Sequence, residues 1–434
     1  MEISRRQFTK VTGLATIGSI ISTNSIWASN SNTLKVGLIG CGGRGTGAAE
    51  QALNADPNVV LYAMADAFSD SLEESYNSLK KKFSEKVQVA DNKKFVGLDA
   101  YQKLIDSDVD VVLLATPPCF RPEHLEAAVN AGKHIFCEKP FAVDAPGLRK
   151  VMMAAKKAKD KNLSLVSGFC WRYHSPKRAT FGRVLDGQIG NILAAEATYN
   201  TSELWYKDRK HGWSDMEYKL RNWLYYNWLS GDHIIEQAIH SIDMLSWAMG
   251  DEAPVNISGN GGRQKRTDEK FGNVFDHFGI IYEYASGTKA YVFCRQQTGT
   301  TPSYAVELTG TDGRCIVDCR TGLHEIKGKN PWKYDDDTKF TDANAYKETK
   351  VKNMYQQEHD ELFASIRASK PMNDGEWATR SNLMAMAGRM AAYSGETISY
   401  EQALSSMDVL FPEKILWNTK YDIPIAVPGI TKFK

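Results

Sequence analysis

The sequence predicts an α/β protein: an N-terminal Rossmann, doubly wound parallel sheet, followed by a C-terminal α+β domain with a large, mostly antiparallel sheet. Three observations predict it. From Leu34 to about Phe169 short apolar runs alternate with helix-like stretches, a glycine-rich turn separates the first run from the first helix, and beyond Phe169 successive runs are divided by turn-forming residues. Alternation of strand and helix produces parallel strands covered on both faces, whereas runs joined by tight turns produce antiparallel pairs.

In chain order, the parallel strands are expected at residues 35–40, 59–65, 109–116, 134–137 and 163–168, and helices at 45–54, 70–83, 122–131 and 145–159. The second sheet is expected from strands at 192–199, 274–284, 288–296, 304–310 and 314–318, with Ala285-Ser286-Gly287 and Thr311-Asp312-Gly313 as turns between neighbours. One helix is predicted over 231–249, and two more near the end over 354–369 and 378–394. Residues 327–352 read as a polar loop. The resulting division is an export signal and linker at 1–33, a nucleotide domain at 34–169, and a substrate and oligomerisation domain at 170–434.

The signal is read from Ser4-Arg5-Arg6-Gln7-Phe8-Thr9-Lys10, followed by an acid-free, modestly apolar stretch over 11–26, with cleavage after Ala28. Paired arginines in that setting mark a twin-arginine export signal, a route that carries folded proteins. No cysteine precedes Cys41, so no lipid anchor is expected, and the mature chain is expected in the periplasm. With 42% hydrophobic and 24% charged residues, the 434-residue chain resembles neither a disordered protein nor a membrane bundle. A net charge of +1 provides no electrostatic footprint for nucleic acid, so no such partner is expected. The seven cysteines form no CxxC pair and are expected to be small core residues.

Gly40-Cys41-Gly42-Gly43-Arg44-Gly45 is a GxGxxG turn between a strand and a helix. There Gly40 makes the tight turn, Gly42 lets the backbone approach a pyrophosphate, and Gly45 permits close packing of the helix. Backbone N–H groups from Gly42, Gly43 and Arg44 at the helix start would hold the phosphates. Asp66 ends the second strand, 21 positions after Gly45, and no Arg or Lys lies between it and Lys80. A carboxylate at that place accepts the adenosine ribose hydroxyls and repels a 2′-phosphate, so NAD is the expected cofactor.

Two segments carry chemistry. Glu138-Lys139-Pro140 follows a short strand, which directs Lys139 into the cleft at the carboxyl ends of the strands. On a continuous helix over 231–249, His233, Glu236, His240 and Asp243 would fall within about 80° of one another. A neutral histidine with a carboxylate one turn away is a serviceable general base. The His233-x2-Glu236-x3-His240 spacing is not a zinc motif, and no metal is expected.

The GCGGRG turn, Ala115-Thr116-Pro117-Pro118, Ala131-Gly132-Lys133-His134 leading into Glu138-Lys139-Pro140, and Gly168 to Tyr173 together resemble the glucose–fructose oxidoreductase / inositol dehydrogenase / MocA family. The resemblance covers nearly the whole chain beyond the signal. It implies that Thr116, Pro117, Glu138 and Lys139 join the cofactor site, that Lys139 hydrogen-bonds the reacting oxygen, and that His240 is the catalytic base. The family's Asp-x3-His pattern reads Glu236-Gln-Ala-Ile-His240 here, a carboxylate one methylene longer. Arg172, Tyr173, His233 and Asp243 are expected to contact substrate, and Trp171, Tyr173 and Trp205 are candidate sugar platforms. The implied reaction is hydride transfer between nicotinamide and a secondary alcohol of a sugar, glycoside or cyclitol, by a homo-oligomer joined through the C-terminal sheet. Two alternatives stand beside it: NAD-assisted glycoside hydrolysis, and sugar binding without turnover.

Overall fold

A computed structural model describes residues 33–334 and 351–433. The expected export signal lies outside the described residues, as does 335–350 of the expected polar loop.

Six parallel strands build the first sheet: β1 (Leu34–Ile39), β2 (Val59–Asp66), β3 (Lys94–Val96), β4 (Val111–Leu114), β5 (His134–Cys137) and β6 (Leu165–Ser167). Their order is β3-β2-β1-β4-β5-β6, so the winding reverses between β1 and β4 and leaves a crevice at their carboxyl ends. All four residues of β4 are buried, as expected of a strand covered by helices on both faces. The unforeseen β3 is three residues long and half-exposed; pairing with Met64, Ala65 and Asp66 makes it a strand, not an apolar run of its own.

The second sheet contains nine strands: β7 (Ile192–Thr201), β8 (Asn256–Gly262), β9 (His277–Glu283), β10 (Lys289–Gln296), β11 (Ser303–Gly310), β12 (Gly313–Asp318), β13 (Leu323–Gly328), β14 (Trp332–Lys333) and β15 (Ile398–Ser399). They stand in the order β14-β13-β12-β11-β7-β10-β9-β8-β15, and every neighbouring pair is antiparallel except β7 with β10. Along β10 Ala290, Val292, Cys294 and Gln296 face inward, while Lys289 and Phe293 face outward. The strand β8 escapes sequence reading because five of its seven residues are glycine or asparagine. A Cβ on Gly259 or Gly261 would meet a carbonyl oxygen of β9 at 2.7 Å, so that edge requires the residues that hide it.

The helix predicted over 231–249 is two short helices, His233–Glu236 and Ile239–Ala248. It starts from Asp232 at φ 74°, whose carboxylate accepts the His233 N–H, and breaks at Gln237, with φ −127° and ψ −56°. His240 N donates to the Gln237 carbonyl at 3.3 Å instead of to Glu236, which leaves the Glu236 carbonyl free. The apolar spacing continues through the break, so it leaves no mark on the pattern.

The two sheets are joined by the end of the chain, so the expected boundary at 169 is crossed again. Helix Met354–Arg367 packs on the glycine-turn helix Gly43–Ala55 and on β5 and β6, adding Leu362 and Phe363 to the apolar cluster that holds Phe136 and Val166. Helix Gly375–Ser394 lies against β8 and against helix Ala145–Asp160. From it Asn382 Oδ1 accepts Phe141 N at 2.7 Å and Ala142 N at 3.1 Å, while its amide donates to the Ala142 carbonyl at 3.1 Å. Asp374 Oδ2 accepts from Ser167 N at 2.8 Å and from the Tyr173 hydroxyl at 2.7 Å. From Leu34 onward the chain is therefore one compact unit. Asn382→Ala would leave three buried backbone groups unpaired. It is expected to cost about 3 kcal/mol or more, read as a lower midpoint in urea unfolding.

Candidate active site

At the end of β1, Gly40 takes φ 95°, and a Cβ there would lie 2.7 Å from the Ala115 backbone. A Cβ on Gly45 would fall 1.8 Å from the Gly40 carbonyl oxygen, whereas Gly42 and Gly43 face open space. Two glycines therefore close the turn and two leave its front clear, the cradle that a pyrophosphate at a helix N-terminus requires.

The cradle opens into a cavity of about 520 Å³ lined by Gly40, Gly42, Gly43, Arg44, Gly45, Asp66, Thr116 and Pro117. Asp66 Oδ2 accepts Cys41 N at 2.6 Å and Oδ1 accepts Phe68 N at 2.9 Å, which fixes the carboxylate at the mouth of the turn with lone pairs to spare. Burial raises its pKa, and these two bonds offset part of the rise. Arg121 joins the two other loops of the crevice: it donates to the Thr116 carbonyl at 2.8 Å and to the Pro140 carbonyl. These residues fit a dinucleotide.

One expected cofactor contact, Glu138, turns away from that cavity. Glu138, 3% exposed, accepts Lys139 N at 3.0 Å and sits 3.1 Å from Arg44 Nε, so it braces the Glu138-Lys139-Pro140 segment from inside. The Arg44 guanidinium is drawn back with it, to Gln51 and over the Tyr355 ring. The cavity has a wall that sequence reading did not anticipate: Trp205, Lys207, Arg221 and Trp223 from the C-terminal half. Trp205, a candidate sugar platform, belongs to this wall. The Arg221 guanidinium is 3.9 Å from the Phe68 ring and is neutralised by Asp70 at 3.0 Å and Glu217 at 2.9 Å. A cation therefore does stand near Asp66, but it is already paired.

The structure brings Lys139, Glu236 and His240 together. Lys139 Nζ donates to the Glu236 carbonyl freed by the helix break. The Glu236 carboxylate accepts Gln296 Nε2 at 3.1 Å, and Gln296 in turn accepts from Arg266. Burial raises the Glu236 pKa, and the Lys139 ammonium pulls it partly back. No hydrogen bond joins Glu236 to His240 among the described residues, so the carboxylate does not orient the ring as expected. The imidazole is instead held by Trp171, at 5.0 Å between ring centroids, and by Phe169 edge-on at 6.3 Å, with its Nδ1 buried and unpartnered. Burial pushes the His240 pKa well below 6.5, with Lys139 and Lys177 adding to the shift, so the ring is neutral at pH 7. Gln296 and Arg266 were invisible in the sequence because both come from the second sheet and its loops.

The other expected substrate contacts, Arg172, Tyr173, His233 and Asp243, have partners inside the protein. Arg172 forms a buried fork with Asp243 at 2.8 Å and Asp251 at 2.6 Å, stacked 4.3 Å from Trp377. Tyr173 gives its hydroxyl to Asp374. His233 packs on Phe278 at 5.0 Å, with burial holding it neutral. All seven cysteines are free and buried, as expected, and among the described residues no three His, Cys, Asp or Glu side chains gather as a metal site. For the cofactor half, Asp66→Asn is expected to weaken NAD binding about tenfold, measured by calorimetry, since it removes a charge-assisted acceptor.

Known proteins share this fold. The family model described as "Oxidoreductase family, NAD-binding Rossmann fold" matches residues 34–165, and that of the "GFO/IDH/MocA C-terminal domain" matches residues 182–316. The chain is 25% identical over 283 residues to an inositol 2-dehydrogenase of Rhizobium meliloti (strain 1021), covering 65% of this chain and 74% of that one. It is also 25% identical over 227 residues to the 2,7-anhydro-N-acetylneuraminate hydratase of Escherichia coli (strain K12), covering 51% of this chain and little more than half, 55%, of that relative. The aldose-aldose oxidoreductase from Caulobacter crescentus, complexed with glycerol, superposes with a TM-score of 0.65 at 18% identity, over 85% of this chain and 100% of that one. A levoglucosan dehydrogenase complexed with NADH and levoglucosan gives 0.64 at 20% identity, over 86% and 100%. At such identities the likeness to the solved structures is one of fold. With models of one family matched in both halves, the chain belongs to the Gfo/Idh/MocA oxidoreductases and carries their NAD-binding Rossmann domain.

Proposed function

We propose that this protein is an NAD-dependent dehydrogenase acting on a secondary alcohol of a sugar, glycoside or cyclitol, reversibly. One observation carries the reading: Lys139, from the nucleotide half, docks on the Glu236 carbonyl beside a buried, neutral His240. That places a hydrogen-bond donor and a proton acceptor together off the carboxyl ends of the strands. When bound, the nicotinamide supplies the hydride acceptor or donor. Lys139 spends one N–H on Glu236 and has two left for the substrate oxygen, whose negative charge grows as its proton leaves. His240 takes that proton. Trp171 and Phe169 hold the ring and exclude water around it. Glu236, braced by Gln296, supports the base or grips a neighbouring hydroxyl. NAD is preferred to NADP because Asp66 faces the ribose end and Arg221 is already neutralised.

The relatives support the substrate class by what their names say they act on: inositol in one case and levoglucosan in another. The same reading exports the mature chain to the periplasm, on the strength of the Arg5-Arg6 segment. It also joins copies through the open face of the second sheet, where Leu193 and Phe293 stand 57% and 46% exposed.

The test is to identify the retained nucleotide by mass and to screen sugars, glycosides and cyclitols while following NADH absorbance and released aglycone separately. Aglycone release without net NADH would turn the reading to hydrolysis, and retained NAD(H) that no sugar oxidises or reduces would leave a binding protein. Lys139→Ala is expected to lower kcat about 100-fold or more, with NAD affinity nearly unchanged in calorimetry. The acid limb of the kcat/KM profile is expected below pH 6.5. His240 works when neutral and its pKa is depressed, so falling pH protonates it later than a free histidine.

A further inference from the structure

Lys177 is 1% exposed, deeper than His240 itself at 7%. Other buried cations of this chain have oxygen acceptors: Arg121 has the Thr116 and Pro140 carbonyls, Arg266 the Phe275 carbonyl and Gln296, and Arg389 the Gly231 carbonyl. Lys177 has neither a carboxylate nor a carbonyl within reach among the described residues. Its ammonium meets His174 Nδ1 at 3.5 Å, the Cys319 thiol, and the face of Trp171 at 5.1 Å. The nearest acid on that strand end, Asp318, is occupied in the following turn, where it accepts Arg320 N at 2.8 Å and Thr321 N.

The surroundings deepen the deficit. Lys177 lies in the first turn of helix Ser175–Leu185, at the positive end of the helix dipole, and no acidic residue shares that turn. His174 and His324, with rings 5.7 Å apart, are both kept neutral by burial and by Lys177 itself. His324 turns Nδ1 to the Gly322 carbonyl at 2.9 Å, and its Nε2 is buried without a partner, a lone pair waiting for a hydroxyl. An ammonium buried among neutral groups is strongly unfavourable until an anion joins it.

The place of this charge decides what the anion belongs to. Trp171 touches Lys177 on one contact and His240 on another, the two lying 5.1 and 5.0 Å from its ring. Lys177 and His240 therefore flank the same ring. We propose that Lys177 anchors a carboxylate of the substrate, with His324 accepting a hydroxyl beside it, so that the site takes sugar acids such as hexuronates or aldonates in preference to neutral sugars. This rests on the dehydrogenase reading above. A single ammonium flanked by neutral imidazoles matches a monoanion better than a phosphate dianion.

The test is equilibrium binding by calorimetry on the purified protein with its own nucleotide, using D-glucuronate, D-gluconate, D-glucose and D-glucose 6-phosphate as probes. Wild-type protein is expected to bind the two acids about ten- to a hundred-fold more tightly than glucose, the range of a charge-assisted hydrogen bond. Lys177→Met is expected to bring that ratio near one without lowering Tm, since an apolar side chain replaces an unpaired buried charge. Equal binding of acids and glucose by wild type, a ratio retained in Lys177→Met, or tightest binding of the phosphate each overturns the proposal. Lys177-dependent binding of the acids without any change in NADH absorbance would leave the subsite standing and remove the dehydrogenase reading.

Discussion

Between Glu236 and His240 the backbone gives up one helical hydrogen bond, and the carbonyl so released is taken by a lysine 97 positions earlier in the chain. Lys139 belongs to the nucleotide half and His240 to the other. The break therefore does two things at once. It gives one N–H of the Lys139 ammonium an acceptor, and it brings donor and base together across the crevice. A continuous helix would have hidden the carbonyl and left the ammonium to find another acceptor.

Around that contact the protein devotes its buried polar groups to stiffness. Arg121 ties the loop after β4 to the one after β5, Glu138 and Arg44 support the latter from beneath, and Asn382 pins the residues that follow. On the other side the fork of Arg172 with Asp243 and Asp251 locks helix Ile239–Ala248 to the segment after β6. Each replaces solvent with a fixed partner, which is what a site must do to hold its groups ready before substrate arrives.

The parallel sheet was readable because fully buried strands are written as continuous apolar runs, and β5 was located to the residue. Five strands escaped: β3, which exists through its partner, β8 through close approach, β13 and β14, which run into the expected polar loop, and β15, only two residues long. The glycine turn, Asp66, Lys139 and His240 were readable for the chemistry their residue types and spacing imply. His233 and Asp243 were read from a helical wheel, which assumes a straight helix, whereas Arg172 and Tyr173 came from the family resemblance and lie on another segment. A polar stripe then looks like a cleft, when two of its members are in fact turned inward. Gln296 and Arg221 carry no local signal for their long-range partners Glu236 and Asp70, 60 and 151 residues away.

Helix Met354–Arg367 has one more implication, for the order in which the molecule is made. The strands of the nucleotide sheet leave the ribosome first, yet the face of β5 and β6 that receives helix Met354–Arg367 stays bare until more than eight-tenths of the 434 residues have been joined. The glycine turn can form early, but the helix that packs behind it arrives late. Any step in the life of this protein that waits for a firmly seated nucleotide must therefore wait for nearly the entire chain.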